Sequence, residues 1–164
     1  MMSNSFFTKL DLRISSWDVG MSVWLAQQRA LDWLRVTTTT AFSLCSSWIA
    51  HLPASLTHLL MECEIDHEPE WITMLPNACP RLEVLFVRGD NFKTEPLDIV
   101  VLLQRLPRLV DVRVPLFTRS DDVMDEVTAT LRNQQTKGRL LFLPGIKGFG
   151  AVQPYLRAQV DIWG

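Results

Sequence analysis

Apolar residues recur along this chain in the spacing L-x-x-L-x-L. One copy is Leu82, Leu85 and Val87. The others are Phe7, Leu10, Leu12; Leu31, Leu34, Val36; Leu56, Leu59, Met61; and Leu109, Val112, Val114. First positions lie 24 (31−7), 25 (56−31), 26 (82−56) and 27 (109−82) residues apart. A degenerate sixth copy has Leu140 and Phe142 with Lys137 in first place, 28 residues further on (137−109). A near-constant step in the twenties marks stacked units, each burying an apolar face against its neighbours.

Between the apolar positions stand Asp11, Arg13, Arg35, Glu62, Arg88, Asp111 and Arg113. Such alternation predicts strands with one face covered and one open to solvent. The expected strands are 7–14, 31–36, 56–63, 82–88, 109–115 and 139–143. Helices are expected between them. The first spans 17–28, capped by Ser15 or Ser16, with Trp17, Met21, Trp24 and Leu25 inward. The second spans 41–51 and turns Leu44, Trp48, Ile49 and Leu52 inward before Pro53. A short third, 69–76, packs through Trp71, Ile72 and Leu75 and ends at Pro76. The fourth, 95–106, is the most apolar, and a fifth carries Val123, Val127 and Leu131 behind a Ser120-Asp121-Asp122 cap.

Strand–helix alternation also fits a doubly wound parallel sheet. There the strands read as near-continuous apolar runs because helices cover both faces. The charged residues inside these strands argue for a one-sided arrangement, and no Gly-x-Gly-x-x-Gly turn follows the first strand.

With that period and that open face, the chain resembles the leucine-rich repeat family over residues 6–143, closest to its ribonuclease-inhibitor-like and cysteine-containing subclasses. The resemblance implies an α/β solenoid, with a curved parallel sheet on the concave side and helices on the convex side. It implies one domain, 1–164: repeats 7–30, 31–55, 56–81, 82–108 and 109–136, a final strand 139–143 and a tail 144–164. The asparagine that the family usually carries nine positions into the repeat is replaced here by Ser15, Thr39, Glu64, Asp90 and Phe117. What the resemblance implies for function is a scaffold, adaptor or complex subunit that binds a partner protein on the concave sheet, with no catalysis.

Composition narrows the context. The 164 residues are 48% hydrophobic and 21% charged, as in an ordinary globular domain. A formal charge of −2 supplies no global pull towards nucleic acid or an anionic membrane. No signal-peptide pattern opens the chain, and the longest apolar run, 99–103, is far too short to span a bilayer. Three cysteines, an odd number, argue against a disulfide framework. The expected setting is intracellular and reducing, most simply the cytoplasm, with a mitochondrial destination left open.

Candidate chemistry is sparse. His58, Cys63 and His67 lie among acidic residues, but without the paired short spacing of a structural zinc site. Cys45 and Cys79 have no neighbouring base within their own unit. No catalytic residue, cofactor, metal or small-molecule substrate is therefore expected.

The alternation instead points to a surface. Stacking the units places Lys9, Trp33, His58, Val84, Asp111 and Arg139 in one outward row. Asp11, Arg35, Leu60, Phe86, Arg113 and Leu141 form the next, and Arg13, Thr37, Glu62, Arg88, Pro115 and Leu143 the third. Trp33, Leu60, Val84 and Phe86 become an apolar centre, with Arg13, Arg35, Arg88 and Arg113 around it. That composition suits a protein interface. An RNA-binding subunit using the arginine columns is the alternative, and the tail or a loop folding back over the patch is a competing occupant. No amphipathic element precedes the first strand, so the N-terminal edge is expected to meet another chain or to have been covered by residues missing from this product.

Overall fold

A computed structural model describes residues 7–39, 43–44, 46–62, 64–65, 70–88, 96–114 and 140–142. In chain order these form β1 (Lys9–Ile14), α1 (Val19–Ala26), β2 (Trp33–Thr38), β3 (Ser43–Leu44), a 3₁₀ helix (Ser46–His51), β4 (His58–Glu62) and β5 (Glu64–Ile65). There follow α2 (Glu70–Ala78), β6 (Val84–Arg88), α3 (Pro96–Arg105), β7 (Asp111–Arg113) and β8 (Leu140–Phe142). The class is α/β. Six strands make one all-parallel sheet in the order β1-β2-β4-β6-β7-β8, and β3 pairs with β5 in a small second sheet.

Each strand is entered in the same way. The carbonyl of Thr8 accepts from the N–H groups of Asp32 and Trp33, that of Asp32 from Thr57 and His58, that of Thr57 from Glu83 and Val84, and that of Glu83 from Val110 and Asp111. The donors advance by 25 (57−32), 26 (83−57) and 27 (110−83) residues, which are the steps of the apolar pattern. One turn earlier, Leu31, Leu56, Leu82 and Leu109 each donate to the carbonyl three residues back, on Gln28, Pro53, Cys79 and Leu106. The first leucine of each copy thus lies in a turn beneath the sheet, fully buried, and not in the strand. For this reason β2, β4, β6 and β7 begin two residues later than expected.

The second and third apolar positions form the core. Leu34, Val36, Leu59, Met61, Leu85, Val87, Val112 and Val114 are at most 2% exposed, and they pack with Leu25, Trp48, Ile49, Ile72, Leu75, Ile99 and Leu102 of the returns. Every described helical return therefore lies on one face of the sheet. Side-chain bonds stitch neighbouring units: Ser55 Oγ donates to the Leu31 carbonyl at 2.6 Å, and Arg105 Nη2 to Asn77 Oδ1 at 2.9 Å.

Several local expectations are corrected. Helix α1 is shorter than 17–28 and is capped by Asp18, whose Oδ1 accepts from the Met21 N–H at 2.8 Å, and not by Ser15 or Ser16. Trp17 precedes it, held by its indole N–H on the Ser22 hydroxyl (2.7 Å) and by a tilted ring contact with Trp48 at 5.4 Å. With Ser22 and Leu25 on the buried side, Trp24 is turned out and is 38% exposed. The return after β2 is not an α-helix over 41–51. Residues 43–44 are drawn into the second sheet, so only a 3₁₀ turn fits before the next strand. It still buries Trp48, Ile49 and Leu52. Helix α2 runs through Pro76 to Ala78: the proline forfeits its own N–H bond to the preceding turn, and the helix still closes with the Cys79 N–H on the Leu75 carbonyl at 2.8 Å.

The final register also differs. Asp111 lies opposite Leu140, Val112 opposite Leu141 and Arg113 opposite Phe142, where the apolar pattern sets Arg139 and Leu141 beside Asp111 and Arg113. Three consecutive apolar residues leave a strand no polar marker for its register, so the one-residue slip carries no penalty in pattern. The expected fifth helix and the tail 144–164 lie outside the described residues.

Candidate partner-binding face

The face of the sheet away from the helices carries the odd-numbered residues of β1, β2 and β7 and the even-numbered ones of β4 and β6. Register aligns Lys9, Trp33, His58, Val84 and Asp111 in one row, and Asp11, Arg35, Leu60, Phe86 and Arg113 in the next. Arg13, Thr37, Glu62 and Arg88 form the third. The expected rows are therefore present from β1 to β7. In the expected rows Pro115, Leu143 and Arg139 lie outside the described residues.

Within this face the apolar residues are not all contiguous. Leu60 and Phe86 are directly opposite across β4 and β6, and Val84 is two residues from Phe86 on the same side of its strand. Trp33 stands apart, because His58 separates it from Val84 in the same row. Trp33, Val84 and Phe86 are half-buried. Leu60, expected outward and accessible, is only 7% exposed, yet it is not part of the main core cluster. It lies on the open face between Arg35 and Phe86, long side chains on adjoining strands, and a medium-sized residue in that position has little surface left.

The four arginines divide into two kinds. Arg35 Nη2 donates to Glu62 Oε1 at 2.8 Å and Arg35 Nη1 lies 3.9 Å from Asp11, while its Nε is buried with no hydrogen-bond partner among the described residues. Arg113 closes on Asp111 of its own strand through Nε and Nη2, both at 3.2 Å, with each side chain only 13% exposed. Arg13 and Arg88 are exposed. The Arg113 pairing was legible as Asp-x-Arg on a strand, since residues two apart share a face. The same triplet occurs at Asp11-Leu12-Arg13, where Asp11 turns to Arg35 instead.

Elsewhere the described residues hold little reactive chemistry. Cys79 is a buried thiol 3.8 Å from the Pro53 carbonyl, and burial pushes its pKa up to about 12, so it stays protonated and inert. His58 Nδ1 lies 2.9 Å from the Thr57 hydroxyl. Among the described residues, no group of three or more His, Cys, Asp or Glu could hold a metal ion, and Cys45, Cys63 and His67 lie outside them. No described helix is long and apolar enough to cross a membrane. No protein-family model, curated protein or solved structure matches the chain.

Proposed function

We propose that the chain is a leucine-rich repeat solenoid, a single domain of about five repeats and a final strand, with helices on the convex side. It acts as a non-enzymatic binding module, a scaffold, adaptor or complex subunit, and takes a partner protein on the open sheet face. The observation that carries this reading is the group Leu60, Val84 and Phe86, apolar residues side by side on the face that no described helix covers. Trp33, Arg35, Arg88 and Arg113 border that group and, with Arg13 one strand further out on β1, supply a mixed polar rim. Apolar centres with aromatic and arginine borders are where binding energy concentrates in protein interfaces.

The alternative, RNA on the arginine columns, finds less support. Asp11, Glu62 and Asp111 share the face and neutralise Arg35 and Arg113, whereas a phosphate backbone needs uncompensated positive charge. The test is site-specific photo-cross-linking in native extract. A photoreactive side chain at position 84 should capture a discrete protein that the same group at exposed Val101 on α3 does not. Equal capture from both positions, or capture of RNA at 84, would overturn the proposal.

A further inference from the structure

The first unit is built like the others but is less well covered. Leu10 and Leu12 of β1 are half-buried, whereas the residues in the same positions of the next four units are at most 2% exposed. Six large hydrophobic residues stand exposed among the described residues, and four are in this unit: Phe7, Val19, Val23 and Trp24, at 38–79%. Among the described residues β1 pairs only with β2, so its other side is an open strand edge. Open edges are templates for pairing with another chain.

The backbone determines which residues face that edge. The carbonyls of Thr8 and Ile14 accept from Asp32, Trp33 and Thr39 on the β2 side. N–H and C=O groups alternate in direction along a strand, so Lys9, Asp11 and Arg13 present theirs to the open edge. A second strand must pair with these odd-numbered residues.

We propose that a second copy of this chain docks there, β1 against β1 and antiparallel, about a two-fold axis through Leu12. With Leu12 facing its own copy, Asp11 falls opposite Arg13 of the second copy and Arg13 opposite its Asp11. Both pairs lie between groups that point at the edge, so each exchanges two backbone hydrogen bonds. On the helix side Leu10 meets Ile14 of the other copy, which continues the apolar layer across the junction. The charges thus select the register. An axis through Asp11 would set Asp11 against itself and Lys9 against Arg13, and like charges directly opposite are destabilising. An axis through Leu10 would pair Lys9 with Asp11 but set Thr8 against Leu12 and leave Arg13 and Ile14 beyond the strand pair. Odd offsets would join the helix side of one sheet to the open face of the other. The edge is distinct from the Leu60–Phe86 group of the partner-binding face, although the side chains of Lys9, Asp11 and Arg13 lie in the rows of that face.

The experiment is sedimentation velocity on the full chain over a concentration series, without any other partner, so that the outcome bears on the edge alone. The wild type should form a dimer. Arg13→Asp, a change at an exposed residue, sets like charges opposite each other twice and should weaken dimerisation about tenfold or more. The double variant Asp11→Arg, Arg13→Asp exchanges the charges and should restore it, with circular dichroism verifying the fold. Lys9→Glu should leave it unchanged. A wild type that stays monomeric, an Arg13→Asp variant that dimerises normally, a folded double variant that fails to recover, or a Lys9→Glu variant as weak as Arg13→Asp would each overturn the proposal.

Discussion

Arg35 and Glu62 are joined by a 2.8 Å hydrogen bond although they are not opposite each other in the sheet. Register sets Arg35 against Leu60 and Glu62 against Thr37, so the guanidinium reaches across the diagonal and passes beside Leu60. The side chains are 37% and 26% exposed, which leaves the pair well screened by water. Glu62→Gln should therefore cost no more than about 1 kcal/mol, and less at high salt. Urea unfolding at two ionic strengths checks this. A cost of several kcal/mol independent of salt would mean that the pair is effectively buried.

Leu85 is fully buried, opposite Leu59 on one side and Val112 on the other. Leu85→Ala should cost about 2–5 kcal/mol. Because units in a stacked array stabilise their neighbours, the loss should spread to β4 and β7. Hydrogen exchange reads this directly: amides of both strands should exchange faster, and protection unchanged on both sides would contradict nearest-neighbour coupling.

Cys79 should resist alkylation in the folded protein and react only on unfolding, which mass spectrometry of the labelled peptide can follow. Its pKa rises from 9.0 to about 12 because burial disfavours the thiolate. Between these values the folded chain keeps a proton that the unfolded chain releases. This contribution to stability is complete below about pH 9 and is lost as pH rises towards 12. Cys79→Ala should flatten that part of the stability profile. An unchanged slope would place the pH dependence elsewhere.

The strand order, the buried partners of each strand and the rows of the open face were legible because alternation and period are written directly in residue types. Leu34, Leu59, Leu85 and Val112 could be placed from spacing alone. The returns were harder to read. Residues 41–51 are rich in hydroxyls and aromatic groups that serve a helix or a 3₁₀ turn equally well, and pairing of 43–44 with 64–65 is a long-range event with no local signature. The β8 register was lost because Leu140-Leu141-Phe142 has no polar residue to mark a face. On the open face, sequence gave direction but not exposure. Whether Leu60 is accessible depends on Arg35 and Phe86 across two strand junctions, and Arg113 is satisfied by a neighbour that its own strand supplies.

The most direct test of the open sheet face as a binding surface is the affinity of Trp33→Ala, Phe86→Ala for the protein captured through position 84, measured by calorimetry beside a thermal melt. Aromatic anchors contribute about 2 kcal/mol each, so the double variant should bind at least a hundredfold more weakly while its melting midpoint stays near that of the wild type. Unchanged affinity with a lowered midpoint would show that these rings stabilise the fold and do not hold a partner.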